Sequence, residues 1–203
     1  VLIKRGNELI QRPFEPVKFT GIVEADKLLN DLTNYPHAFV LACVMDRQIK
    51  AEKAWAIPYL IKNAIASFEM KDLIKLELNQ LARIFKTNSL HRFNEIMAEL
   101  FYEAVQMIDS KYNNNASMIW ENNPKSATVV LRFLEFKGVG IKIATMAANI
   151  LSREFKIAMQ DRICIDISPD VQVKRVFKRL GFISKEATND QLIYTARELH
   201  PEY

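Results

Sequence analysis

The sequence predicts an all-α protein on three observations. Apolar residues recur at helical spacing along nearly the whole chain, most clearly at Phe93, Ile96, Met97, Leu100, Phe101, Ala104, Val105 and Ile108. Only 5 of the 203 residues are glycine, which disfavours β-rich architectures with their many tight turns. Hydrophobic residues make up 49% of the chain, too many for a disordered polymer and enough for a sizeable core in one domain or two small lobes.

Taken in order, the first helix is predicted over 18–33, and Pro36 opens a second that carries Phe39, Val40, Ala42, Cys43 and Val44. A third runs from about Ala51 to Ala66. Pro58 falls inside it and brings no amide hydrogen, so a kink or a late start is expected there. Residues 71–86 and 89–111 follow as two amphipathic helices, the latter with Ser89 as its N-cap. The methionines and aromatics of 89–111 are read as core rather than as ligands. The polar tract Lys111 to Asn115 and the run Glu121-Asn122-Asn123-Pro124 break the pattern and serve as loops. Two more apolar stripes follow, one at Val129, Val130, Phe133, Leu134 and Phe136, the other at Ile143, Met146, Ala147, Ile150 and Leu151. A further helix starts at Ser168-Pro169-Asp170 and carries Val171, Val173, Val176, Phe177 and Leu180 before Gly181 ends it. No internal repeat or low-complexity linker interrupts the chain.

The segment Phe136-Lys137-Gly138-Val139-Gly140-Ile141-Lys142-Ile143-Ala144 joins two of these helices through a pair of glycines. Such a turn leaves the first amides of the second helix uncovered, and exposed amides at a helix N-terminus attract an anion. Lys142 falls in the first turn of that helix, and Asp170 falls at a helix N-terminus, where the macrodipole favours its charged form. On residue types alone, Lys142 is a solvated charge and Asp170 an N-cap. A second meaning is available: an amine that can act as a nucleophile and a carboxylate that can assist it, in a segment able to grip phosphate.

The two segments resemble those of the helix-hairpin-helix base-excision DNA glycosylases, the endonuclease III superfamily (HhH-GPD). The hairpin of that family reads approximately Leu-Pro-Gly-Val-Gly-x-Lys-Thr-Ala, and its aspartate motif reads Val-Asp-x-His-Val-x-Arg-Val. Here Lys137 stands for the usual proline and Ile143 for threonine. In the second motif Pro169 stands for valine and Gln172 for histidine, while Asp170, Val173, Arg175 and Val176 are kept. A weaker match, Leu41-Ala42-Cys43-Val44-Met45-Asp46-Arg47-Gln48, is similar to the family's Leu-Leu-Ser-x-Gln and puts Gln48 on the glutamine that fills the hole left by an extruded base. The similarity runs in matching order from about Pro36 to His200.

The resemblance implies a two-lobed helical glycosylase fold with a helix-hairpin-helix motif, as one domain over 1–203. Lobe A would take about 36–122, and lobe B about 1–35 plus 123–203. It implies a base-excision enzyme that acts on double-stranded DNA containing a damaged or mismatched base. Lys142 and Asp170 would be catalytic, with abasic-site lyase activity through a lysine Schiff base. Gln48, Lys137, Gly138, Val139, Gly140, Lys174 and Arg175 would bind DNA, and the protein would act as a monomer. Asp46 and Arg47, less typical of the family, are candidates to contact the flipped base or its orphan partner, and Asp166 is read as structural or surface, with a helper role as the alternative. His37 and His91 are read as ordinary polar positions. The alternative reading is a non-catalytic helix-hairpin-helix protein that holds DNA without cutting it.

Charge and cysteine usage agree with this. Residues 123–183 hold eleven Lys and Arg against five Asp and Glu, so this stretch carries +6 and the rest −2 of the formal +4. The cationic part coincides with the motifs, as phosphate binding requires, although a charged helix face also serves solubility alone. Arg153, Lys156, Asp161 and Arg162 lie in the long connection between the motifs, where facing solvent is favoured over touching DNA. The two cysteines, Cys43 and Cys164, are far apart in apolar runs and cannot supply the four-cysteine iron–sulfur loop that many relatives carry, so no cofactor or metal is expected. Reduced thiols, no visible secretory signal and no apolar run near ~20 residues point to a cytoplasmic, nucleoid-associated or otherwise intracellular protein without membrane spans.

Overall fold

In the computed structural model, which describes residues 2–200, every regular element is helical. The chain divides into two compact units. One comprises the N-terminal segment through Glu15, Asn123–Leu134 and the chain from Gly140 onward. The other comprises Pro16–Asn122 together with Glu135–Val139.

The larger unit is built around α3 (Pro36–Met45), all ten of whose residues are buried. Its composition, Pro-His-Ala-Phe-Val-Leu-Ala-Cys-Val-Met, is apolar on every face, as a helix surrounded by others requires. α2 (Val23–Asn30), α4 (Ala51–Ile65), α7 (Asn94–Tyr112) and a 3₁₀ turn at Ala116–Ile119 pack against it. Phe39 sits under two indoles, at 5.7 Å from Trp55 and edge-on to Trp120 at 6.1 Å. Truncating so buried a ring to alanine costs about 3–5 kcal/mol.

Segments 16–35 and 135–139, both expected with lobe B, belong to this unit, so its first boundary falls at Glu15/Pro16. The reason is packing: Phe19 stacks on Trp55 at 4.5 Å with the rings 6° from parallel, and α2 lies on α3 and α4. The Asn30 side chain also accepts from the Val17 amide and donates to the Val17 carbonyl.

Other boundaries shift for local reasons. α2 starts at Val23 rather than 18, because Thr20 and Gly21 form a turn whose amides and hydroxyl donate to the Asp26 carboxylate. α4 runs through Pro58 without a late start. The helix expected over 71–86 is broken into α5 (Met70–Leu73) and α6 (Leu78–Thr87). Glu77 caps α6, with its side chain accepting from the Gln80 amide and the Gln80 side chain accepting from the Glu77 amide. Ser89 does not cap α7: it adopts the left-handed conformation, φ 48°, and the helix begins at Asn94. The loops expected at 111–115 and 121–124 are present, with Asn113, Asn114, Asn122 and Asn123 all at positive φ, a conformation asparagine tolerates well.

The other unit holds α1 (Leu2–Ile10), α8 (Ser126–Leu134), α9 (Ile141–Arg153), α10 (Val171–Arg179) and α11 (Asn189–Leu199). α8 and α9 pack closely, with Val129, Phe133, Ala144, Ala147, Ala148 and Leu151 fully buried. α10 keeps its predicted start but buries none of its residues, and Val171 and Val176 are 68% and 50% exposed. Its inner side, with α1, α9 and α11, bounds an apolar cavity of about 640 Å³. Among the described residues no helix is long and apolar enough to cross a membrane.

Candidate nucleic-acid interface

The hairpin between α8 and α9 is made by a turn in which the Val139 amide donates to the Phe136 carbonyl. Gly138 has φ +85°, and a Cβ there would lie 2.5 Å from Arg47 Nη1 and 2.9 Å from Leu100 Cδ1. Both the conformation and the close approach therefore require glycine. Gly138→Ala is expected to cost about 2–4 kcal/mol, from an αL penalty plus crowding of the buried Leu100, read as a lowered urea midpoint.

Gly140 serves differently. Its backbone is extended, φ −101° and ψ 176°, and the space where a side chain would stand is empty. As N-cap of α9 it offers no side-chain oxygen to the helix amides. The start of this 13-residue helix thus carries no side-chain cap, an arrangement that suits a phosphate oxygen.

Lys142 occupies the first turn of α9 and is exposed, and no ion pair or side-chain hydrogen bond engages its ammonium among the described residues. Its backbone carbonyl accepts a hydrogen bond from Ser168 Oγ at 3.2 Å. That bond ties the start of α9 to the segment two residues before Asp170. Asp170 is the N-cap of α10, and its Oδ1 accepts from the Val173 amide at 2.7 Å. The bland meaning of Asp170 is therefore present in the fold, and its second carboxylate oxygen remains available for other work. No ion pair joins Lys142 to Asp170 among the described residues.

α10 presents Lys174, Arg175, Lys178 and Arg179 with no acidic residue in the helix. Lys174 is half-buried, while Arg175 is exposed and donates to Gln172 Oε1 at 3.3 Å. The long connection between the motifs is pinned by its own charges. Lys156 donates to the Ile10 carbonyl, Arg162 to Ser152 Oγ, and Asp161 accepts from the Ser126 hydroxyl. Asp166 holds Arg197 in a two-pronged pair, 2.6 and 2.7 Å, which fits its structural reading.

Lys137 behaves differently from the expected phosphate contact. Its ammonium is shared by Glu99 at 2.9 Å and Glu103 at 2.6 Å on α7. Hydrogen bonds to those carboxylates, Glu103 foremost, push its pKa up to about 12. The lysine is a bolt between turn and α7, not a free cation. Beside it, Glu135 pairs with Lys111.

Gln48 is exposed on the loop between α3 and α4 and sits at φ 54°. The preceding residue, Arg47, lies against Gly138 and gives its carbonyl to His91 Nε2 at 2.9 Å. His91 is buried, and its Nδ1 accepts from the Phe93 amide at 3.1 Å, which places the proton on Nε2. Sequence reasoning passed over this residue, since a histidine 44 positions from its partner leaves no local pattern.

Burial holds both His91 and His37 below the ordinary value of 6.5; for His37 the hydrogen bond to the Phe68 carbonyl opposes this only in part. The folded state therefore favours neutral rings more than the unfolded chain does. The stability this contributes is complete above about pH 6.5 and is lost as pH falls below it through the folded values. The urea midpoint is expected to drop between pH 7.5 and 5.5 and to stay level from 7.5 to 8.5. Among the described residues no group of three or more His, Cys, Asp or Glu side chains could hold a metal.

No family model and no curated protein matches the chain. Its fold is similar to two solved structures of endonuclease III. One is a trapped covalent intermediate with DNA, the estranged-adenine complex, at a TM-score of 0.56 and 18% identity over 88% of this chain and 76% of that one. The other is a non-covalent complex with DNA, at 0.57 and 19% over 99% and 75%. The chain has an endonuclease III-like fold, all-helical among the described residues.

Proposed function

We propose that this protein is a base-excision DNA glycosylase with abasic-site lyase activity, acting on duplex DNA that contains a damaged or mismatched base. The observation that carries the reading is Lys142: an exposed, unengaged amine in the first turn of an uncapped helix, tied through Ser168 to the segment of Asp170. Lys137, four residues from the same helix start, is by contrast held by two carboxylates. The likeness to endonuclease III, solved both in a trapped covalent intermediate and in a non-covalent complex with DNA, supports it.

The chemistry follows from the residues. The uncapped start of α9 and the α10 cations hold the sugar–phosphate strand without reading its sequence. Rotating a base out of the stack costs a few kcal/mol, least at a lesion or mispair, and Gln48 fills the vacancy. The neutral Lys142 amine attacks C1′ as the bond from C1′ to the base breaks and its electron pair leaves with the base. Asp170 assists the lysine and stabilises the positive charge that develops on the sugar. Cleavage of C1′–O4′, with a proton from the attached nitrogen passing to O4′, opens the ring to a Schiff base between Lys142 and C1′, and loss of a C2′ proton to water then expels the 3′ phosphate oxygen by β-elimination.

Borohydride reduction in the presence of an abasic duplex tests this. A covalent protein–DNA adduct is expected. Salt-sensitive retention of DNA without any adduct would instead favour a module that only grips the backbone.

A further inference from the structure

We infer that His91 is a positioning residue: its imidazole fastens the α3–α4 loop, and Gln48 with it, to the start of α7. This rests on the glycosylase reading above, in which Gln48 enters the duplex.

A non-glycine residue at φ 54° is held only where its surroundings over-determine it. The bonds from the Asp46 and Arg47 amides to Cys43 and Met45 are local to the end of α3. The bond from His91 Nε2 to the Arg47 carbonyl supplies a non-local anchor, one residue before Gln48. The other ring nitrogen receives the Phe93 amide at the cap of α7, and the His91 amide itself donates to Asn94 Oδ1 at 2.9 Å. One buried ring thus satisfies a loop carbonyl and a helix-start amide together. Arg47, held by its carbonyl, lays its guanidinium against Gly138 of the hairpin turn. His91 is only 2% exposed and acts on DNA through the loop, not by touching it. The charged groups acting on the ring are cationic: Lys53 from α4, Arg47 from the loop and Arg92 beside it, and all three disfavour an imidazolium.

The test compares affinities for a duplex carrying a tetrahydrofuran abasic analogue and for the intact duplex of the same sequence. Wild type is expected to prefer the analogue at pH 7.5, and Gln48→Ala to lose that preference. His91→Leu, which fills the volume but makes neither bond, should lose it by roughly tenfold. Combining it with Gln48→Ala should add nothing further. His91→Gln, whose amide can still donate to the Arg47 carbonyl, should keep most of it. A folded His91→Leu protein with the wild-type preference, or additive losses in the double variant, overturns the inference. Should His91→Leu fail to fold, a folded His91→Gln protein that loses the preference as fully as Gln48→Ala overturns it. If wild type itself shows no preference for the analogue, the glycosylase reading falls, and this inference falls with it.

Discussion

Lys142→Ala is expected to abolish the borohydride-trapped adduct while leaving the fold intact. The side chain is exposed and makes no ion pair among the described residues, so its removal should change stability by no more than about 0.5 kcal/mol. Retention of intact duplex should fall only by the share of one cation among many in this unit. The adduct, in contrast, needs a nitrogen that can form an imine with C1′. Lys142→Arg sharpens the point: it keeps the positive charge but presents a guanidinium that stays protonated and cannot take the amine's place. Arginine should therefore restore duplex retention fully and trapping not at all. If the adduct survives in Lys142→Ala, another amine is the nucleophile, and Lys142 leaves the mechanism.

Asp170→Asn should lower strand cleavage at an abasic site by about 10²–10³-fold, the range seen when one preorganised electrostatic group is lost. The choice of asparagine matters because Asp170 has two tasks. As N-cap of α10 it accepts from the Val173 amide, and asparagine caps nearly as well as aspartate. The substitution therefore removes the charge and keeps the helix start. Asp170→Ala removes both and should cost about 1 kcal/mol of stability besides the loss in rate. Binding of uncleaved duplex should change little in Asp170→Asn, since α10 and the hairpin amides are untouched. A variant that cleaves at the wild-type rate would reduce Asp170 to its structural task. Single-turnover cleavage, rather than binding, is the measurement that separates the two.

The structure bears on the sequence reading unevenly, and the reasons are physical. α3, α8, α9, α10 and the hairpin stand close to where they were expected, because apolar spacing, Pro36, Ser168-Pro169-Asp170 and the two glycines all act through the local backbone. The break between α5 and α6 was missed because Glu77 caps with a carboxylate where serine or threonine is the usual signal. The start of α7 was misplaced because Ser89 had the right residue type in a left-handed backbone. The resemblance puts Lys137 among the DNA contacts. Which acids face it depends on how α7 packs beside the turn.

The sequence by itself determined the helical class, the glycine turn, the aspartate cap and the identity of the amine and acid at the start of two helices. Each of these follows from dihedral preference or apolar spacing over a few residues. Only the tertiary structure decided that Lys142 stays unengaged while Lys137 is neutralised, that Ser168 ties the lysine to the aspartate segment, and that a buried His91 holds the loop of Gln48. Those outcomes depend on contacts between residues 26 to 44 positions apart, whose partners are chosen by packing and leave no periodic trace in the chain.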